Sequence, residues 1–175
     1  MEPKKLIVLF PGASYSNDRP LLYFTLIKYI EMGYEYIKIN YPAGKKITLA
    51  DIEQTKTDVL AQVKDINFSV YADTLFVSKS IGGVFAFWLA ETLGVNVRHV
   101  CLTPIPLTLP NINGQKISLV VAGDRDKYLD SAVLKAHCEA EAIRLEVAEG
   151  ACHSLEIEGD VLNSITLLKK IIEWV

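Results

Sequence analysis

The chain has 175 residues, half of them hydrophobic, and a formal net charge of −3. That length supports one domain with a sizeable core, and that hydrophobic share excludes a disordered chain. The charge balance, without a basic run longer than a pair, gives no electrostatic footprint for nucleic acid and no special preference for acidic substrates.

Apolar runs alternate with helical patterns along the chain. Leu6-Ile7-Val8-Leu9-Phe10 reads as a strand buried on both faces. Pro20 suits the first turn of the next helix, Gly33 its end, and Leu22, Leu26 and Ile30 its inner face. Tyr36–Asn40 alternates in polarity, as a strand with a less covered face does. Thr48-Leu49-Ala50-Asp51 resembles a capping box opening a long amphipathic helix that ends near Asn67. Thr74–Val77 is the third strand, followed by a helix over Val84–Ala90 that Gly94 closes. Val97–Leu102 and Ile117–Ala122 are the next strands, and a short helix covers roughly Ser131–Ala140. In the last strand Ile143, Leu145 and Val147 alternate with Arg144 and Glu146. Asp160 caps a final helix with Val161, Ile165, Leu168 and Ile172 on one side.

This alternation predicts an α/β fold of three layers, α/β/α, around a six-stranded, mainly parallel sheet. The second and sixth strands show the clearest polar alternation and are expected at the edges, which gives the order 2-1-3-4-5-6. That order sets the first and third strands side by side, with their loops meeting at one carboxyl-end crevice. No repeat or linker interrupts the pattern, so residues 1–175 are expected to form a single domain.

Cys101, Cys138 and Cys152 have no metal-ligand spacing and do not pair completely. They are expected to be buried thiols in a reduced, cytoplasmic protein. The first apolar run is only about a strand long, too short for a signal segment, and no stretch approaches a membrane span.

Ser78-Lys79-Ser80-Ile81-Gly82-Gly83 stands between the third strand and its helix. A serine with a small residue two positions away on each side, at a strand-to-helix turn, is the setting of a nucleophile elbow. The turn would lift Ser80 Oγ clear of the sheet and bring Ile81 N–H to the helix N-terminus, facing a developing oxyanion. The usual pattern has glycine at the first small position, and here Ser78 stands there. Lys79 allows a Ser–Lys dyad as an alternative, and Ser78 is the weaker candidate for the nucleophile.

These features resemble the α/β-hydrolase family over nearly the whole chain, in a minimal form. In that family the order is nucleophile, acid, histidine. Val121-Ala122-Gly123-Asp124-Arg125-Asp126 offers the acid, and the family's glycine three positions earlier selects Asp126, with Asp124 and Asp130 as alternatives. Glu149-Gly150-Ala151-Cys152-His153 looks like the family's glycine-x-x-histidine loop, so the resemblance assigns His153. His99 precedes the acid inside a strand, and His137 is expected on a helix surface. The family takes its second oxyanion donor from the loop after the first strand. Pro11-Gly12-Ala13-Ser14 stands there in place of a histidine–glycine pair, with Ala13 N–H the leading donor and Ser14 N–H next.

The proline-rich segment Thr103–Gln115 is too short for a cap domain, which implies a shallow, open site. Ile105, Leu107 and Tyr15 are candidate walls for the substrate, with plain loop packing the alternative, and Tyr128 and Leu129 share that ambiguity. The resemblance implies a serine hydrolase of the carboxylesterase type, acting on a small-molecule ester through an acyl-enzyme with no cofactor or metal. A thioester, amide or peptide substrate is the alternative, and a non-catalytic binding module of the same fold a further one. A nucleotide-binding reading is weak, because the first loop lacks both G-x-G-x-x-G and a P-loop lysine.

Overall fold

In a computed structural model the described residues are 3–41, 47–114 and 116–175. Six strands form one sheet: β1 (Lys5–Phe10), β2 (Tyr34–Lys38), β3 (Asp73–Lys79), β4 (Arg98–Leu102), β5 (Ile117–Gly123) and β6 (Leu145–Ala148). Their order is β2-β1-β3-β4-β5-β6, as the polarity of the edge strands predicts, and every neighbouring pair is parallel.

Five helices cover the two faces: α1 (Pro20–Glu31), α2 (Ile52–Val63), α3 (Gly82–Leu93), α4 (Ser131–Ala140) and α5 (Val161–Trp174). Because side chains alternate along a strand, each continuous apolar run feeds two cores. Ile7, Leu9, Leu75, Val77, Val100 and Leu102 pack with α1 and α5. Leu6, Val8, Phe10 and Phe76 pack on the other face with α2 and α3. There Cys101, Val120 and Ala122 meet Leu134 and Cys138 of α4. Cys101 and Cys138 are buried free thiols, and Cys152 is half-buried.

Several expectations shift. Leu22 and Leu26 are buried in α1, but Ile30 is exposed and Leu21, Thr25 and Tyr29 complete the inner face. In α5 the inner face is Leu167 and Ile171, with Leu168 and Ile172 half-buried, while Val161 and Ile165 face outward. The expected stripes are thus met only in part, at Leu22 and Leu26 in α1 and at Leu168 and Ile172 in α5, since the sequence offered more apolar residues than the sheet covers. The Thr48–Asp51 signal holds, with Asp51 Oδ2 accepting from Thr48 N–H at 3.0 Å, but a 3₁₀ turn precedes α2. That helix stops at Val63, because Asn67 Oδ1 accepts from Ser69 N–H at 3.1 Å and opens a separate 3₁₀ turn, Phe68–Val70. β2 ends at Lys38: Ile39 still donates to Leu9 O, but Asn40 turns away to Gln62.

The register positions the site. Phe10 pairs with Ser78, so β1 ends where the Ser80 turn begins, and Lys79 pairs with Leu102 at the end of β4. The loops after β1, β3, β4, β5 and β6 all leave from the same end of this parallel sheet.

Candidate active site

Ser80 sits between β3 and α3 with φ of 54°, in the left-handed region that non-glycine residues seldom occupy. Such strain persists only where its surroundings over-determine it. Ser80 N–H is held by Leu102 O at 2.9 Å, and α3 starts two residues later. Gly82 meets the main chain of β1 directly: a Cβ there would lie 2.3 Å from Phe10 O. The small residue after the serine is therefore required by backbone packing. Ser78, in the place of the usual glycine, is buried, and its hydroxyl reaches toward Val100 O at 3.5 Å. Gly83 lies against Thr108, where a Cβ would stand 3.0 Å from Thr108 Cγ2.

His153 lies in the loop after β6. Its Nε2 is 2.8 Å from Ser80 Oγ and its Nδ1 is 2.7 Å from Asp126 Oδ2. An ionised carboxylate only accepts, so Nδ1 carries the proton and the Nε2 lone pair faces the Ser80 hydroxyl. The Asp126 side chain is 2% exposed. Burial alone would raise its pKa, but the hydrogen bonds from His153 and Tyr128 N–H and the nearby cationic groups outweigh that and hold it below the usual range. Gly123, three residues earlier, is where the two loops touch: a Cβ there would stand 2.1 Å from Ala151 O.

The other aspartates of this loop hold main chain. Asp124 Oδ1 accepts from Gly150 N–H at 2.7 Å, and Asp130 caps α4 through Ala132 N–H at 2.7 Å. His99 is buried within β4, as read from the sequence. His137, expected on the surface, is half-buried, with Nε2 2.6 Å from Ile112 O.

A cavity of about 670 Å³ opens over Ser80 and His153. Ala13, Ser14, Tyr15, Ile105 and Leu107 line it, and Tyr128 joins them with its ring 4.4 Å from that of His153. Leu129 instead belongs to the core under α4. Lys79 and Thr48 also reach the cavity, with Arg19 and Ile47, which the sequence did not single out. Ile47 and Thr48 come from the segment before α2, whose approach to the β3 elbow no local pattern announces.

Gly12 and Tyr15 close a tight turn through paired main-chain bonds, with Ala13 and Ser14 at its tip. The N–H groups of Ile81, Ala13 and Ser14 donate to no acceptor among the described residues. The described residues contain no cluster of His, Cys, Asp or Glu able to hold a metal ion.

No protein-family model matches the chain, and no curated protein matches it by sequence. Solved structures do match over nearly its full length. An α/β serine hydrolase homologue from Coxiella burnetii is 16% identical with a TM-score of 0.69, covering 98% of this chain and 85% of that one. The esterase Pf2001 from Pyrococcus furiosus is 15% identical with a TM-score of 0.68, over 98% and 82% of the two chains. Est1E from Butyrivibrio proteoclasticus, solved with ferulic acid, is 14% identical with a TM-score of 0.66, over 99% and 90%.

The chain has the α/β-hydrolase fold. Within that fold the loops after β3, β5 and β6 carry Ser80, Asp126 and His153, in the order read from the sequence. Among the described residues between β4 and β5, Pro106–Asn111 forms a 3₁₀ stretch. It leaves the mouth of the cavity lined by Ile105, Pro106 and Leu107.

Proposed function

We propose that this protein is a serine hydrolase that cleaves small carboxylic esters through an acyl-enzyme. The observation that carries this reading is the hydrogen-bonded chain from Asp126 through His153 to Ser80, with the serine on a strained elbow. His153 Nε2 takes the Ser80 proton as Oγ attacks the ester carbonyl carbon. Asp126 keeps the imidazole in the required tautomer and stabilises the imidazolium that forms. The negative oxygen of the tetrahedral intermediate is received by Ile81 N–H and Ala13 N–H, with Ser14 N–H the alternative to the latter. His153 then gives its proton to the departing alkoxide, and the alcohol leaves. Water enters, loses a proton to His153 and attacks the acyl carbon. Collapse of the second intermediate frees the acid and returns the proton to Ser80.

Ile47, Ile105 and Leu107 give the cavity apolar walls that suit the acyl or alcohol group of a small ester. Pf2001 is an esterase and Est1E binds ferulic acid, which supports an oxygen ester as the first substrate class to assay. A fluorophosphonate probe and a panel of nitrophenyl esters of graded acyl length test the reading. Wild type is expected to label and to turn over short acyl esters, and Ser80→Ala to do neither. Equal labelling of both proteins refutes Ser80 as the nucleophile. Labelling without turnover of any ester refutes the ester reading in favour of thioesters or amides.

A further inference from the structure

Lys79 is the last residue of β3, next to Ser80, yet the reaction above gives it no part. Its side chain is 1% exposed, among the largest fully buried side chains in the protein. Its stem runs under the turn after β1, where a Cβ on Gly12 would stand 3.6 Å from Lys79 Cγ. Its ammonium lies 5.3 Å from the centre of the Tyr15 ring. Nζ donates to Thr103 Oγ1, just beyond β4, and to the main-chain oxygen of His153 at 2.6 Å. One side chain, rooted beside the nucleophile, therefore touches the loops after β1, β4 and β6.

A packing role alone does not account for this. Burying an ammonium without a carboxylate on it is costly, and a methionine fills similar volume without that cost. Desolvation lowers the Lys79 pKa to about 7, although Asp126, Cys152 and Glu156 pull it upward. Thr103, which receives one of its bonds, is itself held at φ of 43°, a conformation that β-branched residues avoid. The protein thus tolerates a desolvated cation and a strained threonine at the same point.

We propose that Lys79 is a positioning residue: its buried head group fixes the main chain of His153, and so sets the imidazole over Ser80, while tying that loop to the ends of β1 and β4. It does not replace His153 as the base: its Nζ bonds Thr103 and the His153 carbonyl, while the Ser80 hydroxyl is met by His153 Nε2. The inference rests on the hydrolytic reading of Ser80. Thr103, the His153 carbonyl and the Tyr15 ring face its head, and Asp126, Cys152 and Glu156 act on it electrostatically.

Lys79→Met keeps the volume and removes the donors. It is expected to lower kcat and the fluorophosphonate labelling rate by about 10- to 100-fold, the scale of a misplaced reacting group, with KM little changed. Melting temperature should hold or rise below pH 7. Wild-type kcat and labelling in Lys79→Met overturn the proposal. So does a loss of activity that follows a fall in melting temperature at every pH, the mark of a purely structural lysine. Failure of wild type itself to label or turn over substrate instead removes the hydrolytic reading beneath it.

Discussion

Asp124, Asp126 and Asp130 share one loop, and each carboxylate has a different occupation. Asp126 holds the imidazole of His153, Asp124 holds Gly150 N–H and Asp130 caps α4. Asp126→Asn is expected to lower kcat by about 10⁴-fold, because an amide opposite Nδ1 favours the wrong tautomer. Asp124→Asn keeps an acceptor for Gly150 N–H and should leave kcat near wild type. Steady-state kinetics on the two variants decide the matter, and the reverse ranking would transfer the role to Asp124. The glycine three positions before Asp126 pointed to this aspartate in the sequence. The contact that gives the glycine its reason, with the main chain of Ala151, joins residues distant in the chain and could not be read there.

At the scale of elements, the elbow depends on β1 as much as on β3 and α3. Gly82 lies against Phe10 O and Pro11 O, so α3 starts directly over the end of the neighbouring strand. Gly82→Ala must push α3 or β1 aside, and overpacking of this kind costs about 1–3 kcal/mol. Urea unfolding should show that loss, and fluorophosphonate labelling should slow because Ser80 moves with its turn. An unchanged midpoint would mean that the helix start yields freely. Helix faces were less legible than strands. Ile30, Val161 and Ile165 fit a helical stripe by spacing, yet they face outward while Leu21, Thr25 and Tyr29 in α1 and Leu167 and Ile171 in α5 join the buried face. A strand buried on both faces needs no choice of phase, whereas an apolar-rich helix does.

For the whole molecule, two cores on opposite faces of one sheet leave little room for buried charge, and His99 shows the cost. Its ring lies 4.6 Å from that of Phe87 and 5.7 Å from that of Phe76, with Nδ1 lacking a partner among the described residues. Burial, with a smaller contribution from Lys116, pushes its pKa down to about 4, well below the 6.5 of an ordinary histidine. Between those values the unfolded chain binds a proton that the folded protein refuses, so stability falls as pH drops through that window. His99→Phe should therefore lose less stability than wild type between pH 7 and pH 4.5. The gap should widen by about 1.4 kcal/mol for each tenfold rise in proton concentration inside the window. Parallel urea midpoints for the two proteins across that range would contradict this. Asp73, whose pKa is lowered chiefly by its Arg98 hydrogen bond, adds its own loss at lower pH in both proteins.

By itself the sequence determined the order of elements, the edge strands, the Ser80 turn and the loops that carry an aspartate and a histidine. Those features follow from local periodicity, turn chemistry and chain order, which a single sequence contains. The tertiary structure decided which N–H groups are left without acceptors, which helix residues face the sheet and where the Lys79 ammonium is held. Each of these is a choice among chemically equivalent candidates. It is made by contacts between loops that the parallel sheet gathers at one end, and such contacts leave no mark in local spacing.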